Sequence, residues 1–144
     1  MKKKNTLLLF LCLFSLWAVA QENKPVKIAC VGNSITYGSG IKNQFQNSYP
    51  GLLSQLLGEG YDVRNFGISA RVLLNKGDHP YMHEQKFRDL LAFQPDIVTI
   101  KLGTNDSKPW NWRYGKDFKK DLTEMLDILQ ELPSKPKIYL CLPV

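Results

Sequence analysis

Apolar runs alternate with segments of helical periodicity along most of the chain. Four short runs, most of them rich in Val, Ile and Leu, predict strands at residues 26–31, 61–66, 96–102 and 138–142. Apolar residues at three- and four-residue intervals predict helices between them, at residues 48–57, 84–93 and 114–132. Such alternation implies parallel strands joined by right-handed crossovers. Because most strands are apolar throughout, we predict helices on both sheet faces, as in a three-layer α/β/α sandwich.

Leucines and cysteines add detail to this pattern. Four leucines share one face of the first predicted helix: Leu52, Leu53, Leu56 and Leu57. Cys30 and Cys141 lie inside strand-like runs and are predicted to be buried free thiols. A disulfide between them is the alternative in an oxidising compartment, although sequence alone does not place them within bonding distance. No Cys and His spacing resembles a zinc site, so no metal is expected.

The first twenty residues have the pattern of a secretory signal peptide. Residues 2–4 are lysines, residues 6–19 are almost wholly apolar, and Ala18-Val19-Ala20 supplies small residues for cleavage. A membrane anchor is the alternative, but the apolar run is short for a membrane span. We therefore expect cleavage near Ala20, a mature domain at residues 21–144, and a secreted or periplasmic protein without a stable membrane anchor.

Length and charge narrow the class of protein. The 144 residues suit one domain, and contents of 44% hydrophobic and 11% aromatic residues are typical of globular rather than disordered chains. Loss of the three signal-peptide lysines would reduce the formal net charge of +6 to a mild positive bias. The sequence has no basic stripe with interleaved aromatics, so no nucleic-acid partner is expected. Nothing in the sequence indicates the oligomeric state.

Three predicted strands end in residues that suit chemistry at a carbonyl group. The carboxyl ends of parallel strands meet at one edge of the sheet, where ligands bind. Ser34 carries a hydroxyl there, and its alternative explanation is a helix N-cap. Gly67 lets a backbone N–H approach a substrate, or is an ordinary turn glycine. Asn105 offers an uncharged donor to an oxyanion, or is a turn asparagine.

Together these strand ends resemble the motifs of a known family. Gly32-Asn33-Ser34-Ile35 is similar to the first motif of the SGNH hydrolases, also called GDSL esterases/lipases. Asn65-Phe66-Gly67 resembles the block that supplies the family's glycine. Gly103-Thr104-Asn105-Asp106 matches its Gly-x-Asn-Asp block. The motifs occur in the family's order, and the resemblance covers most of the mature chain.

The resemblance implies a fold and a set of roles. It implies a flavodoxin-like parallel sheet and a carboxylic ester hydrolase that needs no metal or organic cofactor. Ser34 would be the nucleophile that attacks an ester carbonyl. The Ser34 N–H, the Gly67 N–H and the Asn105 side chain would form the oxyanion hole.

Two departures from the family pattern affect this interpretation. Asn33 replaces the aspartate of the family name; it is nearly isosteric, fits the carbohydrate-esterase side of the family, and is a candidate substrate contact. The family's late Asp-x-x-His block is absent, which would remove the base and the group that orients it. We therefore expect a C-terminally truncated chain that lacks the last strand and helix. His79 and His83 lack the family's spacing and are predicted to be solvated loop residues.

The remaining candidates concern the substrate. Arg71 is a contact for an acidic sugar or a solvated helix-end charge, whereas Trp110 and Trp112 either stack on a sugar ring or anchor a long loop. Asp106 is predicted to hold the Asn105 loop through hydrogen bonds to backbone amides.

Two functional hypotheses follow, and a third is disfavoured. The first is a secreted serine esterase that removes acyl groups, expected to be acetyl, from carbohydrate. The second is a catalytically incompetent fragment or carbohydrate-binding remnant. Nucleotide binding is disfavoured because the glycines after the first strand do not have the spacing of a phosphate-binding loop.

Overall fold

The computed structural model describes residues 24–142. The predicted signal peptide, with its cleavage site near Ala20, lies outside the described residues, so both stay predictions. Within residues 24–142, no helix is both long enough and apolar enough to cross a membrane.

A parallel sheet forms the centre of the described fold. Its strands are β1 (Val26–Gly32), β2 (Tyr61–Gly67), β3 (Ile97–Lys101) and β4 (Lys137–Leu140). The spatial order is β2-β1-β3-β4, and each neighbouring pair is parallel. The predicted strands and their parallel pairing are confirmed, and this order is that of a flavodoxin-like sheet.

Helices connect the strands. They are α1 (Ser34–Tyr37), α2 (Gln44–Asn47), α3 (Tyr49–Leu57), α4 (Gln85–Phe93), α5 (Pro109–Trp112) and α6 (Phe118–Gln130). Short 3₁₀ segments precede α4 and α6, at Tyr81–His83 and Gly115–Asp117. The three longer helices match the predicted ones. The last begins at Phe118 rather than at residue 114, because the preceding turn is 3₁₀.

The two faces of the sheet carry different helices. The alternate residues Ala29 and Val31 of β1 belong to one buried cluster with Phe87 of α4 and Met125 of α6. On the opposite face, the Thr99 hydroxyl of β3 lies 3.2 Å from the Tyr49 hydroxyl of α3. The predicted three-layer α/β/α arrangement is therefore confirmed.

The direction in which the chain adds strands to the sheet changes at β1. The chain passes from β1 to β2 on one side, then crosses to β3 on the other. Right-handed crossovers in opposite directions place their helices on opposite faces, which accounts for the layers. The reversal also opens a crevice at the carboxyl end of β1, where open α/β sheets bind ligands.

Side chains near the two edge strands of the described sheet, β2 and β4, are partly uncovered. Leu56 is 84% exposed and Leu52 is 47% exposed, because α3 packs against the edge strand β2 and leaves its outer leucines uncovered. Cys30 is a buried free thiol, as predicted, but the free Cys141 is exposed. The prediction of a buried Cys141 is wrong because this residue follows β4, at the edge of the described sheet.

Candidate active site

The carboxyl ends of three strands are aligned by the sheet register. Gly32 of β1 pairs with Gly67 of β2 on one side and with Lys101 of β3 on the other. The Gly32 carbonyl also accepts a hydrogen bond from the Ile68 N–H, at 3.0 Å. Ser34, two residues beyond Gly32, therefore lies between the loops that leave β2 and β3.

Ser34 is the first residue of α1, and a different residue caps that helix. The Asn33 side-chain oxygen accepts the Ile35 N–H at 3.1 Å, which is the N-cap contact. Ser34 is half-buried, and no hydrogen bond among residues 24–142 uses its hydroxyl. The N-cap explanation of Ser34 is therefore wrong, and the hydroxyl is free of a structural task within the described part of the chain.

Asn33 is 1% exposed, so its side chain does not present a surface to solvent. Its oxygen caps α1, whereas its side-chain nitrogen has no partner among the described residues. The prediction of a substrate contact at Asn33 is therefore not supported, because burial and capping explain this asparagine locally.

Gly67 is required by packing. A Cβ at this position would lie 2.3 Å from the Tyr37 nitrogen and 2.8 Å from the Thr36 carbonyl carbon. The Gly67 N–H donates to the Asn65 side-chain oxygen at 2.9 Å. The Asn65 nitrogen in turn donates to the Thr36 carbonyl at 2.9 Å, which fixes the orientation of the amide. An oxyanion at the Gly67 N–H would therefore share this donor with Asn65.

Asn105 joins the loops that follow β2 and β3. Its side-chain nitrogen donates to the Arg71 carbonyl at 3.1 Å, and its backbone carbonyl accepts from the Asn111 side chain at 3.0 Å. The amide group of an asparagine has two N–H donors, so one remains beyond the bond to Arg71. Because β1 lies between β2 and β3, this contact between their loops spans the carboxyl end of β1.

Asp106 holds the same two loops from inside the protein. The fully buried carboxylate accepts the Leu73 N–H at 2.9 Å and the Leu74 N–H at 2.8 Å. Burial raises the pKa of Asp106, and these backbone hydrogen bonds oppose the rise. The prediction that Asp106 fixes the Asn105 loop is confirmed, since its partners belong to the loop that holds Arg71.

Asn111 is the site residue that the sequence analysis missed. It is 1% exposed, and its side-chain oxygen accepts the Asp78 N–H at 2.9 Å. Its nitrogen donates to the Asp78 carboxylate at 3.1 Å and to the Asn105 carbonyl. No motif marks Asn111, because its partners lie far apart in the sequence.

Arg71 is neither an isolated cation nor a helix-end residue. It lies in the loop after β2, where its guanidinium is 2.8 Å from the Glu84 carboxylate and donates to the Ser69 carbonyl at 3.0 Å. The residue is about three-quarters buried. This pairing favours a role in holding the loop over direct capture of an acidic sugar.

The two tryptophans expose much of their surface. Trp110 is 54% exposed while its indole N–H donates to Asp78 at 3.1 Å. Trp112 is 53% exposed and packs against Phe118, with ring centroids 6.0 Å apart. Both are therefore anchored and still offer aromatic surface next to the Asn105 loop.

His79 and His83 are exposed, as predicted, although His83 ends the 3₁₀ segment Tyr81–His83 rather than lying in a loop. None of the side-chain hydrogen bonds found in residues 24–142 joins either ring to Ser34. That part of the chain also contains no group of three or more His, Cys, Asp or Glu side chains placed to hold a metal ion.

Comparison with known proteins shows the family to which the chain belongs. The model of the GDSL-like lipase/acylhydrolase family matches residues 30–144. The chain belongs to this family. The resemblance to this family that the motifs indicated is therefore confirmed.

The relatives extend the comparison. The chain is 47% identical over 142 residues to an acetylxylan esterase of Xylanibacter ruminicola, covering 87% of this chain and 30% of that protein. An aryl esterase of M. smegmatis superposes with a TM-score of 0.67 at 22% identity, over 82% of this chain and 64% of the other. Est24, a carbohydrate acetylesterase from Sinorhizobium meliloti, superposes with a TM-score of 0.62 at 21% identity, over 80% of this chain and 62% of the other. The chain thus spans about a third of the length of the acetylxylan esterase and under two thirds of the length of these two solved structures.

Proposed function

We propose that this chain is the Ser34-bearing part of a secreted esterase that removes acetyl groups from carbohydrate. The observation that carries the proposal is the Ser34 hydroxyl. Ser34 lies just beyond the carboxyl end of β1 and begins α1. Asn33 caps that helix, so the Ser34 hydroxyl is not used for capping. A half-buried hydroxyl without a structural task, at the topological switch point, suits a nucleophile.

In the proposed mechanism, the Ser34 oxygen attacks the ester carbonyl as its proton passes to a base. No hydrogen bond within residues 24–142 joins the exposed His79 or His83 to Ser34, so we assign the base to neither histidine. The C–O bond to the sugar breaks, the sugar oxygen takes up the proton, and an acyl-enzyme remains. Water then attacks the acyl-enzyme and releases acetate.

Charge on the carbonyl oxygen would be stabilised by three donors of unequal availability. The Ser34 N–H is in the first helical turn, where amides have no intrahelical acceptor. The Asn105 amide has a second N–H, which remains available because only one donates to the Arg71 carbonyl. The Gly67 N–H is shared with Asn65, so we expect it to contribute least unless Asn65 moves.

The choice of carbohydrate rests on the relatives and the surface. A close relative is an acetylxylan esterase, and one structural neighbour is a carbohydrate acetylesterase. The exposed faces of Trp110 and Trp112 suit stacking against sugar rings. Secretion is supported by the signal-peptide pattern of residues 1–20.

Replacement of Ser34 tests the proposal. In the full-length protein, Ser34→Ala should lower kcat for deacetylation of an acetylated xylo-oligosaccharide by roughly 10⁴-fold or more. Ser39→Ala is the matched control, because Ser39 carries an exposed hydroxyl in the turn that follows α1 and bonds Ser69 there. Acetate release is measured for both variants, with circular dichroism to verify folding.

Turnover retained in a folded Ser34→Ala variant would refute the nucleophile. A wild-type protein that binds the oligosaccharide but never releases acetate would instead favour the alternative, a carbohydrate-binding remnant.

A further inference from the structure

A cavity of about 850 Å³ lies beside the Ser34 edge rather than on it. It follows the outer side of the edge strand β2, with α2 and α3 as its other wall. Residues 62–65 of β2 all line it. At about 3.3 Å per residue, this stretch of strand is about 10 Å long, so the cavity extends about that far along β2.

The inner end of the cavity adjoins the candidate active site. Tyr37 lines the cavity and is the last residue of α1, one helical turn of about 5 Å from Ser34. Asn65 also lines it and accepts the N–H of Gly67. A chain lying in the cavity would therefore end next to the serine.

The wall formed by α2 and α3 is rich in side-chain amides. Gln44, Gln46 and Gln55 line the cavity. Gln44 donates to the Tyr37 carbonyl and Gln55 to the Gln46 carbonyl at 2.8 Å, which orients both side chains. Their amide oxygens, and the whole Gln46 amide, have no hydrogen-bond partner in the described residues. Amides both donate and accept, which matches the hydroxyl groups of a sugar.

An aromatic ring projects from the same wall. Phe45 is 90% exposed although it is a large apolar residue, and it lines the cavity between Gln44 and Gln46. Tyr37 adds a second ring, 39% exposed. Aromatic faces next to planar amides suit the apolar faces and polar rims of pyranose rings.

Charges in the cavity are mostly balanced. Asp62 and Arg64 form an ion pair at 2.8 Å, which leaves Lys86 as the lining charge that has no ion-pair partner within residues 24–142. A polyanion would gain little from one lysine in water. The lining therefore favours a neutral chain of hydroxyl-bearing rings over a polyuronate.

We propose that this cavity binds the neutral sugar chain that carries the scissile acetyl group, with Phe45 as its stacking platform and Gln46 as a hydrogen-bonding residue. This deepens the proposed function and rests on it. The cavity would hold the sugars on one side of the acetylated unit, while Ser34 acts at its inner end.

Titration of an unacetylated xylo-oligosaccharide into the full-length protein tests the cavity without requiring catalysis. By isothermal calorimetry, Phe45→Ala should weaken binding roughly tenfold, because it removes an apolar ring that the sugar covers. Phe45→Tyr retains the ring and should restore most of the affinity. Leu56→Ala is the matched control, since Leu56 is 84% exposed on α3 but does not line the cavity.

The outcomes separate this proposal from the proposed function. Unchanged affinity in both Phe45→Ala and Gln46→Ala would overturn the cavity assignment, as would tighter binding of a polyuronate than of the neutral chain. Retained turnover in Ser34→Ala would overturn the esterase mechanism instead. A tenfold loss in Phe45→Ala, with Leu56→Ala unchanged, would support the cavity whatever the Ser34 result.

Discussion

Replacement of Gly67 by alanine should displace the helix that begins with Ser34. The added Cβ would lie 2.3 Å from the Tyr37 nitrogen, whereas ordinary contacts begin at 3.4 Å. The backbone of α1 would therefore have to move by about 1 Å. Backbone atoms relax less easily than a flexible side chain, so we expect a loss of about 1–3 kcal/mol in the free energy of unfolding.

The same displacement should reduce catalysis. A catalytic group misplaced by about 1 Å can lose roughly 10²-fold in rate. We therefore expect kcat of Gly67→Ala to fall by about that factor at a denaturant concentration where the protein is still folded. The measurements are urea unfolding followed by circular dichroism, and acetate release from an acetylated oligosaccharide.

Gly60→Ala is the matched control for this prediction. Gly60 directly precedes the same strand, and a Cβ there has nothing within 4 Å. We expect its free energy of unfolding to change by less than about 0.5 kcal/mol. Equal urea midpoints for Gly67→Ala and Gly60→Ala would refute the packing argument. A destabilised Gly67→Ala with full kcat would refute the link from Gly67 to Ser34.

Two further predictions concern the network under the Asn105 loop. Asn111→Ala should destabilise the protein by about 1–3 kcal/mol in urea unfolding, because it removes a buried side chain that bonds Asp78 and Asn105; an unchanged midpoint would contradict this role. Burial raises the pKa of Asp106, so the folded protein takes up this proton at a higher pH than the unfolded chain. The contribution of Asp106 to stability should therefore increase as pH falls from the pKa of Asp106 in the folded protein toward its pKa in the unfolded chain. Asp106→Asn should flatten that part of the profile of stability against pH. Urea unfolding between neutral and acid pH measures this profile.

The order of the elements could be predicted because local burial leaves a periodic trace. Strands such as Ile97–Lys101 and helices such as Gln85–Phe93 match their predicted positions closely. Periodicity does not record partial exposure, which is why the burial of Cys141 was misjudged and why the shared face of the α3 leucines gave no sign that Leu56 is exposed. Whether such a residue is covered depends on whether its element lies at the centre or the edge of the sheet.

The sequence by itself determined the family motifs, the alternating topology and the placement of Ser34, Gly67 and Asn105 at strand ends, because strand boundaries and parallel crossovers follow from local pattern. Tertiary structure alone decided the partners of those residues. Asn33 rather than Ser34 caps α1, the Gly67 N–H meets Asn65, and Arg71 takes one donor of Asn105. Hydrogen bonds depend on distances of a few tenths of an ångström. Only the folded chain sets those distances, whether the groups are two residues apart, as at Asn33 and Gly67, or far apart in sequence, as at Asn105 and Arg71.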